Sequence, residues 1–176
     1  MAGRRGSTAA RRVRGAHPLI FVTVGTHHQP FERLLSALPD LGENLVVQYG
    51  PGRRPEGVGE AADYMSFEQI LECLEKAEKV ITHAGVGSIL LATRAGHLPL
   101  VVPRRAELSE HVDDHQAELT RALGESGAVV PVWEVAELGV LLDAVPRRGE
   151  RVEPPGRHEF AERVGAALRG DQANTR

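Results

Sequence analysis

Three short segments of this 176-residue chain combine histidine with glycine or with other hydrogen-bonding residues in patterns that could hold an anion or a polyol. The first is Thr82-His83-Ala84-Gly85-Val86-Gly87-Ser88, which follows an apolar run and opens a helical pattern. Its glycines and small residues leave backbone N–H groups uncovered at the positive end of a helix dipole, a diphosphate-sized anion site. Ser88 either caps that helix or donates to a phosphate oxygen. His83 can donate too, and it becomes cationic if a phosphate raises its pKa. The second segment is Gly25-Thr26-His27-His28-Gln29-Pro30, again between an apolar run and a helical pattern. A glycine there allows close backbone approach to a ligand. Neither GxxxxGK[ST] nor GxGxxG is present, so by itself the segment also fits a plain tight turn. The third is Pro103-Arg104-Arg105 followed by Glu110-His111-Val112-Asp113-Asp114-His115-Gln116. His111 and His115 form the only i, i+4 histidine pair, which does not complete a metal set. The cluster suits sugar hydroxyls better, unless it is only a solvated first helical turn with acids favoured by the dipole.

The elements that must position these segments follow from periodicity. Residues 19–24, 44–49, 79–82, 98–102 and 128–132 are short apolar runs of strand length, and Tyr64 and Met65 close a further short strand. Between them lie helical patterns. Phe31, Leu34, Leu35 and Leu38 share one face after Pro30, which suits a first helical turn. Ser66 is placed to cap a helix whose core face is Phe67, Ile70, Leu71 and Leu74. Residues 87–95 form a helix closed by Gly96, and residues 112–123, 134–144 and 158–168 complete the set. Continuously apolar strands alternating with helices predict an α/β, Rossmann-like, mostly parallel sheet with helices on both faces. Such sheets bind ligands beyond the carboxyl ends of their strands, where all three segments fall.

Composition bounds the rest. The net charge of −3 gives no reason to expect nucleic-acid binding. One cysteine, Cys73, excludes a disulfide framework and a cysteine-based zinc site. No apolar run reaches the ~18 residues of a membrane span. Residues 1–16 carry Arg4, Arg5, Arg11, Arg12 and Arg14 and no acid. They read as a disordered solvated tail or as a polybasic segment for an anionic membrane surface. The expected organisation is this tail, one domain over residues 17–169, and a disordered tail over 170–176.

Taken in order, IFVTVGTHHQPFERL, ITHAGVGSI and PLVVPRRAELSEHVDDHQAEL resemble the soluble catalytic subunits of two-piece GT-B glycosyltransferases. That group is related to the C-terminal domain of glycosyltransferase family 28. It includes bacterial exopolysaccharide and capsule transferase subunits and the catalytic half of the dolichol-linked GlcNAc transferase. The resemblance covers residues 19–130 and implies the C-terminal, donor-binding half of a GT-B fold. It implies a hexosyltransferase using a nucleotide-sugar, a UDP-sugar by preference, with no metal or other cofactor. Gly25, Thr26, His83, Ala84, Gly85, Val86, Gly87, Ser88 and Arg104 would face the donor diphosphate. Glu110, Asp114, His115 and Gln116 would face its sugar. Met65, Ser66 and Phe67 would contact uracil, largely through backbone. His27 or His28 would be the general base, unless the partner supplies it. Relatives carry a ribose-binding Glu where this chain has Leu91, which leaves Thr93 or Arg94 for that role. The implied partner is a membrane-anchored subunit holding a lipid-linked saccharide acceptor, with the chain cytoplasmic at the inner membrane face; a homo-oligomer is also open. Phe160, Val164, Ala167 and Leu168 of the last helix are the candidate docking face, or simply pack on the domain's own sheet. The alternatives are a non-catalytic nucleotide-sugar-binding or regulatory subunit, and a stand-alone transferase for a small soluble acceptor.

Overall fold

The computed structural model describes residues 18–150, and everything below concerns those residues. The expected tails, the expected helix over 158–168 and its docking face lie outside them. The element order is β1 (Ile20–Thr23), α1 (Glu32–Leu35), β2 (Leu45–Gln48), β3 (Glu60–Ala62), α2 (Phe67–Lys76), β4 (Lys79–His83), α3 (Val86–Arg94), β5 (Leu100–Val102), α4 (His115–Glu125), β6 (Val130–Pro131) and α5 (Leu138–Ala144). The strands form one six-stranded sheet in the order β3-β2-β1-β4-β5-β6, and every pairing is parallel. This is the doubly wound order in which strand succession reverses between β1 and β4, opening a crevice at their carboxyl ends.

Burial explains the arrangement. Every residue of β1 and β5 is buried, as covering on both faces of a parallel sheet requires. The edges are weaker: β3 is Glu-Ala-Ala, and β6 is two residues ending in Pro131, tolerated where no further ladder partner is needed. One face packs Val22, Leu45, Ile81 and Leu100 against Leu34 and Leu35 of α1 and Leu138, Leu141 and Leu142 of α5. The other packs Phe21 and Val80 against Leu74 of α2 and Ala92 of α3, with Ile89 and Val101 in a neighbouring cluster beside Leu119 and Leu123 of α4.

Several expected boundaries moved. The strand expected at Tyr64 and Met65 lies at Glu60–Ala62, where backbone pairing with β2 is available; Tyr64 is exposed and Met65 belongs to the core. The helix expected after Pro30 is a single turn, Glu32–Leu35, followed by a 3₁₀ turn at Pro39–Leu41. The apolar face at 31, 34, 35 and 38 is nevertheless fully used, since all four side chains are buried. The fourth helix starts at His115 instead of 112, and the fifth at Leu138 behind a 3₁₀ turn at Val135–Glu137.

Candidate active site

The helix α3 is built to leave its first turn open. Its N-cap is Gly85, which has no side chain to cap the first N–H groups. The α2 N-terminus is the opposite case: Ser66 and Gln69 form a complete capping box, with Gln69 N on Ser66 Oγ and Ser66 N on Gln69 Oε1. The C-terminus of α3 is fully closed, as Gly96 N and His97 N return to Thr93 O and Ala92 O in a Schellman motif. The helix is therefore held at one end and has unpaired donors at the other.

Those donors border a cleft of about 190 Å³ at the carboxyl ends of β1, β2 and β4. Gly25, Thr26, His83, Gly85, Gly87 and Ser88 line its rim, and Thr23 and Gln48 line its polar floor. Phe21, Val80, Ile70, Leu74 and Leu91 form its apolar walls. The His83 ring is clamped between two glycines. A Cβ on Gly25 would lie 2.5 Å from its Cε1, and one on Gly85 would lie 2.2 Å from its Nε2. Gly25 also has φ +76°, a conformation other residues adopt only at a cost. Both glycines exist here because an imidazole occupies the space a side chain would need.

Burial, and next the nearby Arg104 guanidinium, push His83 down to about 4, so it is neutral at pH 7. The cationic His83 considered from sequence is thus not the state of the unliganded protein. Its Nδ1 is buried and makes no hydrogen bond of normal geometry. Gln48 Nε2 is the second buried polar atom of the cleft lining without a partner.

The structure brings together much of the expected diphosphate set. Gly25, Thr26, His83, Gly85, Gly87 and Ser88 share the cleft. Ala84 is buried in the core beside Ile89, and the Val86 side chain points outward, so each can offer the cleft only backbone. Arg104 is elsewhere. It is wholly buried, donating from Nη1 to Gln29 O, Pro30 O and Glu110 O and from Nη2 to Val24 O. Its guanidinium sits 4.6 Å from the Phe31 ring centre. It ties the loop after β1 to the loop after β5 instead of meeting a ligand.

The expected sugar-binding residues divide. Glu110 is buried and takes a two-pronged hydrogen bond from Arg33, 2.9 Å to Nε and 3.0 Å to Nη2, and accepts Arg105 N at 3.0 Å. Asp114 accepts Ala106 N, and Gln116 Oε1 accepts Arg104 N at 3.1 Å. Asp114 and His115 are both exposed, the His115 side chain 81% so beside Asp113 and Glu118. Of the expected uracil contacts, Met65 is core, Ser66 is the cap, and Phe67 is exposed. Leu91 does line the cleft, whereas Thr93 returns its hydroxyl to Ile89 O and Leu90 O, and neither Thr93 nor the exposed Arg94 lines it.

His27 and His28 stack with ring centres 4.4 Å apart, and His111 adds a third ring 4.7 Å from His27. Burial, and then the neighbouring imidazoles, lower the His27 pKa. His27 Nδ1 accepts Gln29 N at 3.3 Å, so its neutral ring carries the proton on Nε2. His111 Nδ1 meets Asp113 Oδ1 at 3.1 Å. Among the described residues, no group of three His, Cys, Asp or Glu side chains could hold a metal ion, and no helix is long and apolar enough to cross a membrane.

Sequence reasoning missed Thr23 and Gln48, and gave His111 no role beyond membership of the third segment. The first two had a signal: each is a polar residue ending an otherwise apolar strand that is buried on both faces. His111 had none beyond its place in a polar cluster.

Comparison with known proteins agrees with this geometry. Residues 19–147 match the glycosyltransferase family 28 C-terminal domain. The chain is 34% identical over 122 residues to the UDP-N-acetylglucosamine transferase subunit ALG13 of Yarrowia lipolytica, covering 60% of each chain. It is 35% identical over 159 residues to the subunit of that name from Cryptococcus neoformans, covering 65% of this chain and 78% of that one. The human ALG13 subunit is 35% identical over 123 residues, of which this chain spans 10% of the length. Among solved structures, the glycosyltransferase SnogD from Streptomyces nogalater superposes with a TM-score of 0.52 at 19% identity, over 96% of this chain and 44% of its own. The calicheamicin glycosyltransferase CalG4 gives 0.51 at 18%, over 93% and 41%. These two show the fold, and this chain spans less than half of either. With the match spanning most of its length, the chain belongs to the glycosyltransferase family 28 C-terminal domain family.

Proposed function

We propose that this chain is the donor-binding, catalytic subunit of a glycosyltransferase. It takes a UDP-sugar and passes the sugar, without a metal, to a lipid-linked acceptor held by a membrane-anchored partner in polysaccharide synthesis. The observation that carries the reading is the open first turn of α3, set beside a clamped His83 at the crevice between β1 and β4. Unpaired N–H groups there meet the charge that develops on a departing diphosphate. A neutral imidazole donates to the same oxygens. The helix-dipole argument holds for α3 only, because α1 is one turn long.

The donor and the need for a second protein are supported by the printed names of the relatives, UDP-N-acetylglucosamine transferase subunits. UDP-N-acetylglucosamine is accordingly the first donor to test. In this reading the partner places the acceptor hydroxyl beside the cluster of His27, His28 and His111. The base that takes its proton is one of these rings or belongs to the partner. A non-catalytic donor-binding subunit is the second reading, favoured by the apolar Leu91 in the cleft wall.

The test is calorimetric titration with UDP, UDP-N-acetylglucosamine, GDP and dTDP, alongside His83→Ala. Uridine-selective binding that weakens about tenfold in the variant, with little change in stability, supports a donor site. Equal affinity for every nucleotide, or none, overturns it. Sugar transfer in the presence of the partner separates the catalytic from the non-catalytic reading, since only the former loses turnover in His83→Ala.

A further inference from the structure

We propose that Gln48, oriented by Thr23, reads the flat pyrimidine base of the donor by donating a hydrogen bond from Nε2 to a base carbonyl at the floor of the cleft. This rests on the nucleotide-sugar reading above. Gln48 ends β2 after Leu45, Val46 and Val47, and it is 1% exposed. A buried carboxamide is costly unless both its ends are engaged. Only Oε1 is: Thr23 Oγ1 meets it at 2.5 Å. Gly25 N donates to the same hydroxyl at 3.2 Å. A backbone N–H can only donate, and a hydroxyl has one hydrogen. The hydroxyl accepts from Gly25 N with one lone pair, and in the structure its one hydrogen is directed at Gln48 Oε1. That order turns the carboxamide oxygen toward Thr23 and its NH₂ away, and each bond in such a chain polarises the next.

The resulting donor, Nε2, is buried and unpartnered, and Gln48 lines the cleft with Phe21, Ile70, Leu74, Val80 and Leu91. Apolar walls disfavour a phosphate at this depth and favour a neutral acceptor. The cleft has about 190 Å³, and a cavity of about 150 Å³ holds a benzene ring, so a six-membered heterocycle fits. The anionic end of the ligand then falls at Gly25 and the open turn of α3, on the rim of the same cleft. One oriented polar group among apolar walls is the common pattern of a small-molecule site.

The full chain and Gln48→Leu are titrated with UDP and with inorganic pyrophosphate, and both proteins are melted. The expected result is a loss of at least tenfold in UDP affinity, pyrophosphate affinity unchanged within twofold, and a melting temperature close to that of wild type. Relief of the unpaired Nε2 offsets the acceptor that the Thr23 hydroxyl loses. Unchanged UDP affinity would overturn the proposal while leaving the nucleotide site standing. A parallel fall in UDP affinity, pyrophosphate affinity and melting temperature would make Gln48 a structural residue and overturn it as well. A wild-type chain that binds UDP no better than pyrophosphate would instead overturn the nucleotide reading itself. Gln48→Met, unbranched and closer in shape, replaces Gln48→Leu if the latter does not fold.

Discussion

The segment from His83 to Ser88 and the segment from Pro103 to Gln116 look alike as sequence: both begin at the end of a central strand, both carry histidine and other hydrogen-bonding side chains, both run into a helix. In the structure they do opposite things. The first leaves hydrogen-bonding capacity unused, in the uncapped turn of α3 and in His83 Nδ1. The second turns most of its capacity inward. Arg104 donates to four carbonyls, Glu110 holds Arg33 and Arg105 N, Gln116 accepts Arg104 N, and Asp114 accepts Ala106 N. In the proposed reading one is a site and the other a brace that holds the loop after β1 in place. Richness in polar residues does not mark a ligand site; unengaged polar groups inside a cleft do.

The largest effect expected from this contrast is on the brace. Arg104→Met removes a buried cation and strands four carbonyl acceptors, which should cost about 3–5 kcal/mol and lower the denaturation midpoint sharply. If Arg104→Met stays as stable as wild type and loses only ligand affinity, the brace and site assignments are reversed.

Next comes pH. An unfolded His83 titrates near its ordinary value of 6.5, whereas the folded one titrates at about 4. Between those values the unfolded chain binds a proton that the folded chain refuses, so stability falls as pH drops from 6.5 toward 4. The full loss is on the order of 3 kcal/mol. His27 and His97 are lowered for the same chief reason, burial, and act in the same direction. Denaturation midpoints measured across this range should slope less in His83→Ala, and identical slopes would place His83 in a solvated setting.

A smaller effect belongs to the clamp. Gly85→Ala puts a methyl 2.2 Å from His83 Nε2, so the ring must move. A loss of roughly 1–3 kcal/mol in stability is expected, with donor affinity falling in the same variant. An unperturbed His83 imidazole signal in that variant would show the clamp to be loose.

The smallest effect sharpens the boundary between the two segments. His115 projects into solvent, so His115→Ala should change stability by less than about 0.5 kcal/mol. If it faces the donor sugar, UDP affinity stays the same while UDP-N-acetylglucosamine affinity drops. Equal affinities for both ligands in wild type and variant would remove His115 from the sugar site.

Much of the fold was legible because it depends on local alternation. Apolar strand-length runs separated by helical patterns imply a parallel sheet, and covering both faces of such a sheet leaves little choice of register. Helix starts were less legible where no capping signal exists. Ser66, placed to cap, located the start of α2 to the residue, whereas α4 and α5 begin later than their apolar periodicity suggested. The rim of the cleft was legible from glycine and histidine spacing. Its floor was not, since Thr23 and Gln48 lie 25 residues apart and become neighbours only when β1 and β2 pair in register.

The amino-acid sequence by itself determined that the chain forms an α/β sheet, which strand ends would carry glycine-rich turns, and which residues could donate or accept hydrogen bonds. Only the tertiary structure decided which of those groups remain available. Arg104 and His83 are both polar residues at or just past the carboxyl end of a buried strand, yet one guanidinium is consumed by carbonyls of its own loop and of the distant loop after β1, and one imidazole is held between two glycines in a cleft. Hydrogen-bonding capacity belongs to the residue type. Whether it is satisfied within the protein depends on neighbours that the chain brings together from 58 to 80 positions away, as Gly25 and His83 or Val24 and Arg104 are.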